Sequence, residues 1–213
     1  MANIWEMRRI PHPEEVIRNY DRRVLFRLFK FVLPPYPASG GYMDIKTCKL
    51  LAQYNQMVNQ KMDSIICNLS NTQWNWEFAG YFKTIKQLCS HIYIVDYNWL
   101  KRFGQFRDFQ FIRDPLFDQN LNYSSKLFED IADYIFKRNE LDKKLIMFTD
   151  EVTESDLEKI ISFANAKGEM VNKHAGGSIL HIFNHQTHHR GMISVYLDMM
   201  KIDNDFSGLL QLV

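Results

Sequence analysis

Five of the seven histidines fall within 16 residues: His174, His181, His185, His188 and His189. The densest run reads His181-Ile-Phe-Asn-His185-Gln-Thr-His188-His189-Arg190-Gly191. It lies inside the chain and is broken by apolar residues, unlike an appended tag. On a helix advancing about 100° per residue, with Ile182 at zero, Ile193, Tyr196 and Met200 all fall within about 40°. They define an inward stripe. His189 lies near −20° and His185 near −60°, on or beside that stripe, while His181 and His188 turn to the flank at about −100° and −120°. A single buried histidine is ordinarily a hydrogen-bonded core residue. Two at i and i+4 can share one metal ion, and leaving both without partners would cost a few kcal/mol.

A third ligand has to come from another helix, and His91 is placed to supply it. With Leu88 at zero, Ile92, Val95 and Trp99 fall within about 40°, and His91 lies near −60°, beside this second apolar stripe. Three histidines leave coordination open, as in catalytic zinc sites. No carboxylate is placed as a fourth ligand, so water is expected there. The residues between His185 and His189 are Gln186, Thr187 and His188, so there is no HExxH general base. No Ser-His-Asp or Cys-His pattern stands out.

Four long amphipathic patterns would position these groups. The first runs over about 44–69, with Asp44 as N-cap and Ile45, Cys48, Leu51, Val58, Met62, Ile65 and Leu69 inward. The second runs over about 80–103. The third runs over about 124–145, with Leu127, Ile131, Ile135 and Leu145 inward. The fourth runs over about 178–201, with Ser178 as cap after Gly176-Gly177. Short runs at 158–164 and 169–174 flank Asn165-Ala166-Lys167-Gly168 and predict a small β-hairpin. The whole reads as an all-α four-helix bundle over 44–213. Before it, residues 1–43 form an extension with one helix over 13–33, closed by Pro34-Pro35-Tyr36-Pro37.

Composition limits the function classes. The 213 residues carry 26 Lys and Arg against 25 Asp and Glu, a net charge of +1. That is poor equipment for a protein that binds nucleic acid through phosphates. Cys48, Cys67 and Cys89 are odd in number and include no CxxC pair, which points to a reducing, cytoplasmic compartment. No signal peptide is visible, and the most apolar run, 24–33, is too short to span a bilayer.

Three stretches carry a family resemblance: Leu51-Ala-Gln-Tyr-Asn-Gln-Met-Val-Asn59, His91-Ile-Tyr-Ile-Val-Asp-Tyr-Asn-Trp-Leu100 and Asn184-His-Gln-Thr-His-His-Arg-Gly191. With them the chain resembles the DinB/YfiT-like superfamily of four-helix metal-binding proteins over about 44–201. The family's metal-binding histidines fall on His91, His185 and His189. Its pattern usually continues with Gln after Arg-Gly, where this chain has Met192. The resemblance implies a divalent metal ion, zinc or nickel foremost, and a hydrolase or a thiol S-transferase using a low-molecular-weight thiol. A non-catalytic, stress-related metal-binding dimer is the alternative.

Around the ligands, Asp96 has two readings: it holds a ligand imidazole from behind, or it makes a surface or helix-pair hydrogen bond. Arg190 is expected to form an ion pair or meet an anion, and Asn184 to be an interior polar residue beside Asn55 and Asn59. Superfamily members often pair, so a homodimer is expected, with the leader helix contributing to the contact. Neither nucleic acid nor membrane is expected as a partner.

Overall fold

The computed structural model describes residues 42–213 except 106, 123, 124 and 166. The expected leader helix and His12 lie outside the described residues. Six helices are described: α1 (Ile45–Ile66), α2 (Asn71–Trp74), α3 (Ile85–Phe103), α4 (Ile131–Glu151), α5 (Glu154–Leu157) and α6 (Ala175–Met199). Strands β1 (Ile160–Ala164) and β2 (Met170–His174) form the expected hairpin. Its register pairs Ile160 with His174 and Ala164 with Met170. Gly168 takes a φ of 80°, a left-handed conformation suited to glycine at this turn.

Helix starts follow local capping chemistry. Asp44 accepts the Thr47 N–H at 2.7 Å and begins α1. Thr84 accepts the Gln87 N–H at 3.0 Å, so α3 begins five residues later than its periodicity suggested. Asp130 accepts the Asp133 N–H at 2.8 Å and begins α4. That is well after the expected start, because Leu127 is buried from the preceding loop. Ser178 does not cap α6. It lies one turn inside, its hydroxyl donating to the His174 carbonyl at 2.9 Å. Gly176 and Gly177 are therefore helical. A Cβ on Gly176 would stand 3.2 Å from the Leu157 carbonyl oxygen, so glycine lets α6 approach the end of α5 closely.

The four long helices pack as a bundle in which α1 and α3 each touch α4 and α6. Their relative directions follow from the side-chain pairs. Asn59 meets Asp142 and Asp63 meets Asn139, so α1 and α4 are antiparallel. His91 meets His185 and Trp99 meets His181, so α3 and α6 are antiparallel. Asp96 meets Arg138 and Phe103 meets Phe148, so α3 and α4 are parallel. The order is up, down, down, up. The parallel α3–α4 pair requires the segment between them to travel back along the bundle. That segment carries Phe109, Phe111 and Phe117 into the core.

On α4 the inward face differs from the expected one. Ile131 and Ile135 are half-buried, while Tyr134, Arg138, Leu141, Asp142, Leu145 and Phe148 are buried. The buried face is turned toward Tyr134, Leu141 and Phe148, while the charged Arg138 and Asp142 lie on the expected stripe.

Candidate metal centre

α3 and α6 bring the three expected histidines together. His91 Nε2 and His185 Nε2 lie 3.0 Å apart. One ligand nitrogen from each of His91, His185 and His189 lies within 4.8 Å of the others. Two nitrogens on a tetrahedral zinc at about 2.1 Å would be about 3.4 Å apart, so small ring rotations suffice to place all three on one cation. His189 is buried, and His91 and His185 are half-buried. Burial pushes the His185 pKa down to about 3, with neighbouring imidazoles adding to the effect. It likewise takes His189 down to about 4 and lowers His91. All three are neutral at neutral pH, the state that ligates a metal. The Nδ1 atoms of His185 and His189 are buried and have no hydrogen-bond partner. The donor set fits a divalent cation of borderline softness.

The remaining histidines stand apart. His188 is exposed and stacks edge-on against His189. His181 is exposed beside Trp99, and His174 packs on Tyr42 at the start of α6.

Asp96 does not hold an imidazole. Its Oδ2 accepts from Arg138 Nη1 at 2.8 Å and from Gln186 Nε2, and Oδ1 has no partner. It belongs to a closed ring of buried polar groups drawn from all four long helices. Arg138 Nη2 donates to Asp142 Oδ1 at 2.6 Å. Asn59 Nδ2 donates to both Asp142 oxygens at 3.1 Å. Arg190 Nη1 donates to Asn59 Oδ1 and Gln186 Oε1, both at 3.2 Å, which closes the ring, and also to Asn55 Oδ1 at 2.5 Å. Arg190 thus meets amides where an ion pair was expected. Burial lowers the Arg138 pKa, but Asp142 and Asp96 beside it more than offset this and raise it above the usual arginine value. Burial lifts Asp96 to about 7 despite Arg138. Asn184 is exposed, a correction to its expected interior place, whereas Asn55 and Asn59 are buried.

Gln186 and Arg190 each follow a candidate ligand in the sequence. The ring therefore fixes the rotation of α6 at the two turns that carry His185 and His189. The sequence offered little sign of it, because Gln186, Arg138 and Asp142 look like surface residues.

Phe82 was also missed. Its ring lies 4.7 Å from that of His91 and 5.5 Å from that of His189. The loop carrying it is pinned where Tyr196 Oη donates to the Phe82 carbonyl at 2.6 Å. A Cβ on Gly80 would collide with Tyr196 Oη, so this close approach needs glycine there. Gly80 was the only local signal. Next to Phe82 a cavity of about 690 Å³ opens against His91.

The cysteines bring no thiolate to the centre. Cys48 and Cys89 are buried, and burial pushes the Cys48 thiol up to about 12 and the Cys89 thiol still higher. Exposed Cys67 lines a different cavity. No described helix is long and apolar enough to cross a membrane.

Comparison with known proteins agrees with this architecture. The sequence model of the DinB family matches residues 43–200. The chain is 24% identical over 149 residues to Protein DinB of Bacillus subtilis (strain 168), covering 69% of this chain and 82% of that one. Among solved structures it is similar to a DinB-like protein from Bacillus subtilis. The TM-score is 0.52 at 12% identity, covering 72% of this chain and 94% of the other.

Proposed function

The chain belongs to the DinB family, and from that premise we propose that it binds one divalent metal ion through His91, His185 and His189 and uses it as an enzyme. The reaction we assign is of hydrolase or thiol S-transferase type, with zinc or nickel as the ion. The observation that carries the reading is the convergence of three neutral imidazoles, within 4.8 Å, beside an open cavity. A cation held by three neutral ligands keeps its full charge, so when bound it supplies Lewis-acid chemistry and lowers the pKa of water or a thiol.

The chain's own groups do the rest. His185 and His189 present their rings from successive turns of α6, and His91 faces them from α3. Phe82 covers one side of the triad and sheds water there. No cysteine thiolate is at hand, so the nucleophile arrives from outside, as water or as a low-molecular-weight thiol. A closed, non-catalytic metal site is the other reading; the cavity at His91 favours the enzyme.

Elemental analysis of the purified chain is the first test, with one equivalent of divalent metal per chain expected. A screen of thiols against small electrophiles and of ester and amide hydrolysis follows. Metal at far below one equivalent, with none taken up on reconstitution, would sink the proposal. We further propose a cytoplasmic homodimer; light scattering that reports a monomer at micromolar concentration would contradict the dimer.

A further inference from the structure

The cavity at His91 has a chemical bias. α3 presents Lys86, Gln87, Ser90 and Ile94 to it, and Phe82 and Leu127 supply apolar wall. Among the described residues no carboxylate lines it. Lys86 is half-buried and, among the described residues, has neither an ion-pair nor a hydrogen-bond partner. Its side chain also borders a neighbouring cavity that holds Glu129 and Asp130. Both of those are engaged elsewhere: Glu129 Oε2 with Lys126 Nζ at 2.5 Å, and Asp130 Oδ1 with the Asp133 N–H at 2.8 Å. The Gln87 amide oxygen accepts the Lys83 N–H at 2.6 Å, which leaves its NH2 group free to donate into the cavity.

From this juxtaposition we propose that the cavity takes an organic monoanion, a carboxylate on an apolar chain. Lys86 receives the carboxylate and the reacting end lies at His91. One ammonium matches one negative charge. At the Lys86 end, away from His91, a phosphate dianion would call for a second side-chain cation or a guanidinium fork, and the described lining holds neither. Lys86 and His91 are five residues apart on one helix, about 7.5 Å along its axis. Phe82 and Leu127 give the chain between the two ends apolar contact. This inference rests on the reading of the triad above for the reacting end only; the carboxylate subsite stands without a metal.

The experiment titrates the 15N-labelled full chain with hexanoate and, separately, with its neutral counterpart hexanamide. It is run first on His189→Ala, in which the triad is broken, so that direct metal binding cannot imitate the subsite. Hexanoate is expected to bind about fivefold more tightly than hexanamide, the scale of a part-exposed ion pair, with the largest shifts at Gln87 and Ser90. Adding Lys86→Gln should equalise the two without weakening hexanamide, and Lys86→Arg should restore the preference. Equal binding of both probes, or a hexanoate preference that survives Lys86→Gln, overturns the proposal. So does hexanoate binding seen only in the metal-loaded wild type, which would place the anion on the cation. Metal content, measured separately, decides the triad reading, so the two failures are distinguishable.

Discussion

At the level of single residues, phase decides which histidine does what. His188 and His189 are neighbours, yet one is exposed and the other buried against Phe82 and His91. Replacing His189 with Ala is expected to reduce bound metal from one equivalent to near zero. His188→Ala should retain the full equivalent, its fold intact by circular dichroism. Equal loss from both would show that the ligand set is misassigned. The inward placement of His185 and His189 and the outward placement of His188 were legible in the sequence, because helical phase sorts them. The ring that holds those histidines was not. Arg138, Asp142 and Gln186 fall on the inward stripes by phase, but their polarity reads as surface, and only tertiary packing shows that with Asp96 they satisfy one another inside.

Among the helices, α1, α4 and the ring that joins them set the stability. Removing the Arg138 side chain strands two buried carboxylates. Arg138→Ala is expected to cost about 3–5 kcal/mol in urea unfolding, far more than a surface arginine. A loss below about 1 kcal/mol would mean that water enters and satisfies the site. Asp63 on α1 makes a separate, pH-dependent contribution. Burial first, then Asp142, raises its pKa to about 7 from an ordinary 3.8, while Asn139 donates to it at 3.1 Å. A carboxyl with a raised folded pKa favours folding when protonated. Stability from this group is therefore full below about pH 4 and is lost as pH rises to about 7. Asp63→Asn should stabilise the chain by a few kcal/mol at pH 8 and by almost nothing at pH 4. Unfolding curves at the two pH values check it; a gain of equal size at both would assign the effect to packing. The same helices show why the inward face of α4 misled the sequence reading. Arg138 and Asp142 lie in phase with Ile131, Ile135 and Leu145, but their charge disguised them as surface residues, and α1 and α3 bring partners to meet them inside.

Over the whole molecule, the up-down-down-up order was not readable from four amphipathic stripes, since the stripes do not say which neighbours are parallel. The long α3–α4 connection makes that order possible, its aromatic residues filling the bundle side as it returns. The charge balance, by contrast, was fully legible, and the structure explains what it means. The net charge is +1, and several of the described cations have acids close by. Lys49 meets Asp150 at 3.1 Å, Arg113 meets Asp108 at 2.5 Å, Lys137 meets Asp133 at 2.9 Å and Lys144 meets Asp114 at 2.5 Å. Each such pair places a carboxylate where a phosphate would have to sit. Binding to duplex DNA draws its affinity from phosphates that displace condensed counterions, and a surface of paired charges releases few. Fluorescence anisotropy with a labelled duplex at about 0.15 M salt is therefore expected to show no saturation in the low micromolar range. The strongest local excess lies in the leader before Pro34, with seven basic residues against four acidic ones. Saturable binding that weakens steeply with salt and disappears when that leader is deleted would refute the expectation. It would also shift the balance from a small-molecule enzyme toward a non-catalytic role.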